Sequence, residues 1–284
     1  MLKKIFFAAA LLLASELIAK PVVIASIAPV EYLAKAVGGD KIEVQSLAKG
    51  DVHSYEPKPN DMKAVAKARI FIAAGLEFEE AWIPRFKASA KNLVVVQSDA
   101  KIAKLKEERG EQAEHDEKHE AHADPHVWLN PMLAITMARN ISDALIDMDK
   151  ANKDFYLENF QKLMNDLLAF DESAKESLAG LKNRKFVVYH PAWGYFAEHY
   201  DLEQISIERN GKEPKIDEMA STLKMIKDEN IKVIFADPNR SQKSAQVLAS
   251  QTGAKVELLD PLGYNLLENL KIAVGAIKDA NSPK

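Results

Sequence analysis

Short apolar runs recur at residues 22–27, 42–47, 70–74 and 93–97, and again at 186–189, 204–207, 233–236 and 256–259. Helical periodicity follows each one, as at 30–37, 59–68, 78–90 and from Pro131 onward in the first set. A chain that alternates strand and helix in this way builds βα units on a parallel sheet. Two sets of four units therefore predict an α/β protein of two similar (βα)4 lobes, each with its own parallel sheet. Between the sets, Tyr156, Phe160, Leu163, Met164, Leu167, Leu168, Ala174 and Leu178 recur at helical spacing over residues 152–181, and Gly180 ends the pattern. Such a stripe predicts one long rigid helix, about 45 Å at 1.5 Å per residue, joining the lobes across a cleft. The expected division is a leader at 1–19, an N-terminal lobe at 20–150, a linking helix at 151–182 and a C-terminal lobe at 183–284.

Residues 1–19 read as a signal peptide: Lys3 and Lys4, an apolar run from Ile5 to Ala14, and the small residue Ala19 where cleavage could fall. The apolar run is too short for the roughly 20 residues that cross a bilayer as a helix. The chain has no cysteine, so it is expected to form no disulfide and to take no lipid on a thiol. A soluble periplasmic protein is the expectation. Its net charge of -4 argues against nucleic acid as a partner.

Candidate metal-binding side chains fall at equivalent places in this plan. His53 follows the second predicted strand, His126 follows the fourth by way of a long loop, and His190 and Asp260 each close a strand of the second set. Ligands bind in the crevice outside the carboxyl ends of strands in open parallel sheets. Three imidazoles and one carboxylate converging there, two residues from each half, suit a tetrahedral zinc shell. The carboxylate would also offset the positive helix amino ends that crowd such an edge. Asp237 is a rival to Asp260 that could instead cap the next helix, and His199 reads as a surface residue. Residues 107–123 are acidic, carry His115, His119 and His122, and hold no aliphatic side chain but alanine, so a solvated loop is expected.

The segments Asp124-Pro-His-Val-Trp-Leu-Asn-Pro131, Tyr189-His-Pro-Ala-Trp-Gly-Tyr-Phe196 and Glu208-Arg-Asn-Gly-Lys-Glu-Pro214 resemble the metal-binding solute-binding proteins of ABC transporters, the ZnuA-like zinc and manganese group. The resemblance implies two lobes joined by a long helix, with one metal ion held between them and handed to an ABC permease in the inner membrane. It carries the ligand role onto His53, His126 and His190, and onto Asp260 as a fourth donor that varies within the family. Some members place an acidic residue or proline before the first histidine; this chain has Val52 there, which leaves Asp260 or water. Manganese-type members tend to present a carboxylate at the position of His190. Three nitrogens and one oxygen suit zinc better than manganese.

High-affinity zinc capture by a monomer that is not an enzyme is thus the expected function, with a manganese- or iron-loaded relative as the alternative. His115, His119 and His122 resemble the histidine-bearing insertion of zinc members; they would either catch zinc weakly or merely ride on a solvated loop. A zinc hydrolase is the rival of another class. It needs an open coordination position and a nearby base. The sequence has neither a His-Glu-x-x-His pattern nor a nucleophile elbow.

Overall fold

The computed structural model describes residues 19–106, 123–208 and 216–281. Apart from Ala19 and Ala123, the expected leader and the histidine-bearing loop lie outside the described residues.

In the first half, β1 (Val22–Ala25), β2 (Glu43–Ser46), β3 (Ile70–Ala73) and β4 (Val94–Gln97) form one sheet in the order β2-β1-β3-β4. In the second, β5 (Lys185–Val188), β6 (Glu203–Ser206), β7 (Val233–Ala236) and β8 (Lys255–Leu258) repeat the pattern as β6-β5-β7-β8. Every pairing is parallel. The central strands β3 (Ile-Phe-Ile-Ala) and β7 (Val-Ile-Phe-Ala) are buried at all four positions, as a strand covered on both faces must be. The edge strands β2 and β8 are partly exposed and carry Glu43, Gln45, Lys255 and Glu257. In each sheet the strand order reverses beside the first strand, which opens a crevice at the carboxyl edge.

Helices α1 (Ala28–Gly38), α2 (Pro59–Val65), α3 (Glu77–Ser89) and α4 (Pro131–Met148) belong to the first half. The linking helix α5 runs from Lys153 to Ala179, 27 residues or about 40 Å. Its buried positions Tyr156, Phe160, Leu163, Leu167, Phe170, Ala174 and Leu178 form one stripe at spacings of three and four, a step every turn. That stripe packs on α1 and α4 from one side of the molecule and on the C-terminal helix α9 (Leu266–Asn281) from the other. One hydrophobic core consequently runs through both halves, from Ile24 and Phe71 through Trp128 and Leu167 to Phe235 and Leu270. A smaller core, around Ile207, Ile226, Ile234 and Leu248, lies beneath α7 (Ile216–Asp228) and α8 (Lys243–Thr252).

Among the described residues no helix is long and apolar enough to cross a membrane. His199, expected on the surface, is instead largely covered: its Nε2 lies 2.6 Å from Asp171 Oδ1 of α5. It sits at the end of α6 (Gly194–His199), which the covalent path of the chain separates widely from Asp171. The periodicity of α6 could not show that its polar side faces the linking helix.

Candidate metal centre

Loops at the carboxyl edges of both sheets bring the site together. His53 stands in the turn after β2, where Gly50 adopts a φ of 81° and Asp51 Oδ1 accepts the His53 backbone N–H at 3.2 Å. Val52, buried in the core, anchors that turn.

His126 is fixed by its own neighbour. Asp124 Oδ1 accepts the His126 backbone N–H at 2.9 Å and lies 2.7 Å from Nδ1. The segment then forms a short 3-10 turn, Val127–Leu129, and enters α4 through Asn130 and Pro131. Asn130 Oδ1 accepts from the N–H groups of Met132 and Leu133, at 2.9 and 3.3 Å, satisfying two free donors of the helix start. The same segment is stapled to the second half: Trp128 Nε1 donates to Pro261 O at 2.7 Å, and Tyr195 Oη donates to Asp124 O at 2.7 Å while accepting from Leu105 N–H at 2.8 Å.

Each strand of the second sheet sends a residue to the edge. His190 follows β5, Glu208 follows β6, Asp237 to Arg240 follow β7, and Asp260 follows β8. Glu208 Oε2 lies 2.9 Å from His190 Nδ1, and Arg240 holds Glu208 Oε1 at 2.9 Å. Asp237 does not cap α8, which starts six residues later; its Oδ1 accepts from Asn239 N–H at 2.7 Å and closes the turn that carries Arg240.

The three imidazoles meet. Ring centroids of His53, His126 and His190 lie 4.9 to 5.3 Å apart, and one ligand atom from each falls within 4.8 Å of the others. His126 and His190 are buried, at 4% and 7% exposure. Nε2 of His53 and Nε2 of His190 are buried with no hydrogen-bond partner. Orphaned polar atoms of this kind are costly unless something fills the space between them. Burial, with the two other imidazoles and Arg240, lowers the His53 pKa to about 3. Burial also holds His190 well below the usual imidazole value. Neutral imidazoles converging in this way are what a metal ion requires.

Asp260 is not brought into that group. Its Oδ1 accepts from Asn239 Nδ2 at 2.9 Å and from Leu262 N–H at 2.8 Å, which leaves the second oxygen as the one to consider as a donor. A cavity of about 270 Å³, lined in part by Asp124, His126, His190, Gly194 and Gln204, opens beside the imidazoles. A larger hollow of about 390 Å³ lies on the β2 edge, between Gln45, Asn60 and Lys67, away from all three rings.

Sequence reasoning missed the partners of the rings. Asp124 could have been found from its spacing of two from His126, the reach of a carboxylate folding back on the backbone. Nothing in the sequence pairs Glu208 and Arg240 with His190, because the sheet alone brings them together.

Two parallel sheets, a helix spanning both and converging imidazoles at the crevice define a bilobed binding-protein frame with a candidate metal centre. The chain belongs to the family of the zinc-uptake complex component A, periplasmic, ZnuA, whose model matches residues 23–280. It is 30% identical over 279 residues to the high-affinity zinc uptake system protein ZnuA of Bacillus subtilis, covering 91% of this chain and 86% of that one. Identity to a putative metal-binding protein of Treponema pallidum is 34% over 243 residues, 82% of this chain and 77% of the other. Among solved structures, a crystal structure of ZnuA matches with a TM-score of 0.86 at 34% identity, over 93% of this chain and all of that one. The family is one of solute-binding proteins, and the expectation of two lobes and a long helix agrees with both the sheets and the neighbour.

Proposed function

We propose that this protein captures zinc in the periplasm and delivers it to an ABC permease in the inner membrane. His53, His126 and His190 hold the ion through Nε2, and the fourth position falls to Asp260, through the oxygen that Asn239 and Leu262 leave free, or to water. The observation that carries this reading is the pair of buried, unpartnered Nε2 atoms of His53 and His190 inside a cluster of three rings. The donor set also favours zinc over manganese, since three imidazole nitrogens make a softer shell than carboxylates and water.

No covalent bond of a substrate is made or broken in this function. Zinc binds residues from both halves at once, so occupancy fixes their relative position, and the permease reads that position. The shared core along α5 limits any movement to a small tilt. In a tetrahedral shell with Zn–N distances of about 2.05 Å the three nitrogens stand about 3.3 Å apart, so binding draws the rings inward. The chain acts as a monomer in this reading, and a leader at 1–19 takes it across the membrane.

Metal analysis of the protein purified without added metal, followed by competition between zinc and manganese, tests the proposal. One zinc per chain, not displaced by a hundredfold excess of manganese, is the expected result. Preferential loading with manganese or iron would replace zinc in this account.

A further inference from the structure

Nδ1 of His190 has two neighbours that make opposite demands on it. Glu208 Oε2 lies 2.9 Å away and Arg240 Nη1 lies 2.9 Å away. A carboxylate can only accept a hydrogen bond, and a guanidinium can only donate. A single ring nitrogen cannot donate to the first and accept from the second in one tautomer. With the proton on Nδ1, the bond goes to Glu208 and Nε2 keeps a lone pair for a metal. With Arg240 donating into Nδ1, the proton of the neutral ring sits on Nε2, which then has nothing to offer a metal.

Arg240 is not a chance visitor there. Its Nη2 donates to Glu208 Oε1 at 2.9 Å, its side chain is 16% exposed, and its backbone N–H donates to Asp237 O at 3.2 Å in the turn after β7. Asn239 of the same turn binds both Asp237 and Asp260. The guanidinium is therefore a fixed cation whose second arm reaches the outer nitrogen of a ring in the metal cluster. An arginine present only to neutralise Glu208 has no need of that arm.

From this geometry, resting on the zinc reading above, we infer that Arg240 is a positioning residue that weakens zinc binding through His190. It favours the non-ligating tautomer when the ion is absent and places a positive charge behind the ligand when it is present. Glu208 works in the opposite sense, as the outer carboxylate that orients a ligating histidine and strengthens it. Competition between the two partners sets how readily the ion leaves, which matters to a protein that must surrender its cargo.

The ring tautomer is read directly by two-bond 1H–15N correlation on metal-free protein labelled at histidine nitrogen. His190 is expected as the Nε2–H tautomer in the unsubstituted chain and as the Nδ1–H tautomer in Arg240→Gln. Chelator competition should show Arg240→Gln binding zinc about tenfold more tightly, with slower release, the size of effect that outer partners of a ligand commonly exert. Arg240→Lys keeps a cation for Glu208 without the second arm; it should shift the tautomer in the same way with a smaller gain in affinity. An Nδ1–H tautomer in the unsubstituted metal-free chain overturns the inference without reference to any variant, as does zinc binding by Arg240→Gln that is equal or weaker. Failure of the unsubstituted chain to take up zinc would sink the functional reading and the affinity claim with it, leaving the tautomer to decide whether Arg240 controls His190 at all.

Discussion

The two halves of the molecule hold their buried histidines by different means. In the N-terminal half Asp124 reaches back across two residues to His126, so ring and carboxylate are set by one short segment. In the C-terminal half His190 depends on Glu208 and Arg240, which arrive from two other strands. The first arrangement is local and has one sense; the second is tertiary and divided against itself. In the proposed zinc centre, one side is then preorganised to grip and the other adjusted to let go.

Removing a ring should have the largest effect. His126→Ala and His190→Ala should each lower zinc affinity by more than about 100-fold, beyond the range of outer partners, as measured by chelator competition. Parity between them would leave the contrast intact, because each deletes a proposed ligand. Outer partners are where the halves should diverge. Asp124→Ala should cost about 10-fold to 100-fold, and Glu208→Ala should lie at the upper end of that range. The latter also leaves the Arg240 guanidinium without its counterion beside His190. Equal losses would mean that Arg240 has no influence and that the two halves are equivalent.

Acidity probes the same centre. Three imidazoles at the ordinary value of about 6.5 would lose about a thousandfold in affinity between pH 7.5 and pH 5.5. Burial depresses His53 to about 3 and His190 well below its usual value, so at these two rings protons compete with zinc only at lower pH. The loss over that interval is expected to stay well under a hundredfold in zinc titrations at the two pH values. The metal-free protein pays instead in stability. An imidazole neutral in the fold but protonated in the unfolded chain makes stability fall as pH drops below about 6.5, by up to about 1.4 kcal/mol per pH unit for each such ring. For His53 the fall should continue towards pH 3, where its folded form also takes the proton. Denaturant melts of metal-free protein across this window check the sign; stability rising on acidification would contradict it.

Much of the fold is legible in the sequence. The eight strands, the α5 stripe and the positions of His53, His126 and His190 at strand ends follow from hydrophobic period and from where parallel sheets open. What was hidden is tertiary. Burial of His199 against Asp171 needs the packing of α6 on α5. Arg240 sits two residues beyond Pro238 in a turn with no helical or strand pattern, so only the sheet order β6-β5-β7-β8 puts it beside both Glu208 and His190. Asp260 closes its strand as expected, yet one of its oxygens is spent on Asn239 and Leu262, a detail no spacing rule contains.

The smallest expected effect on zinc comes from the staple between the halves. Trp128 is two residues from His126 but fully buried, and its ring N–H reaches Pro261 O across the interface at 2.7 Å. Trp128→Phe keeps most of the apolar contact and deletes that bond, leaving the Pro261 carbonyl without the donor Trp128 supplied. The cost should be about 1–3 kcal/mol of stability, or a few degrees in Tm for a chain of this size, measured by calorimetry of the metal-free form. Zinc affinity should change by less than about threefold, because Asp124 still sets His126 from within its own segment. A larger drop in affinity would show that the N-terminal ring, too, depends on the opposite half for its position, and the contrast between a local grip and a tertiary one would no longer hold.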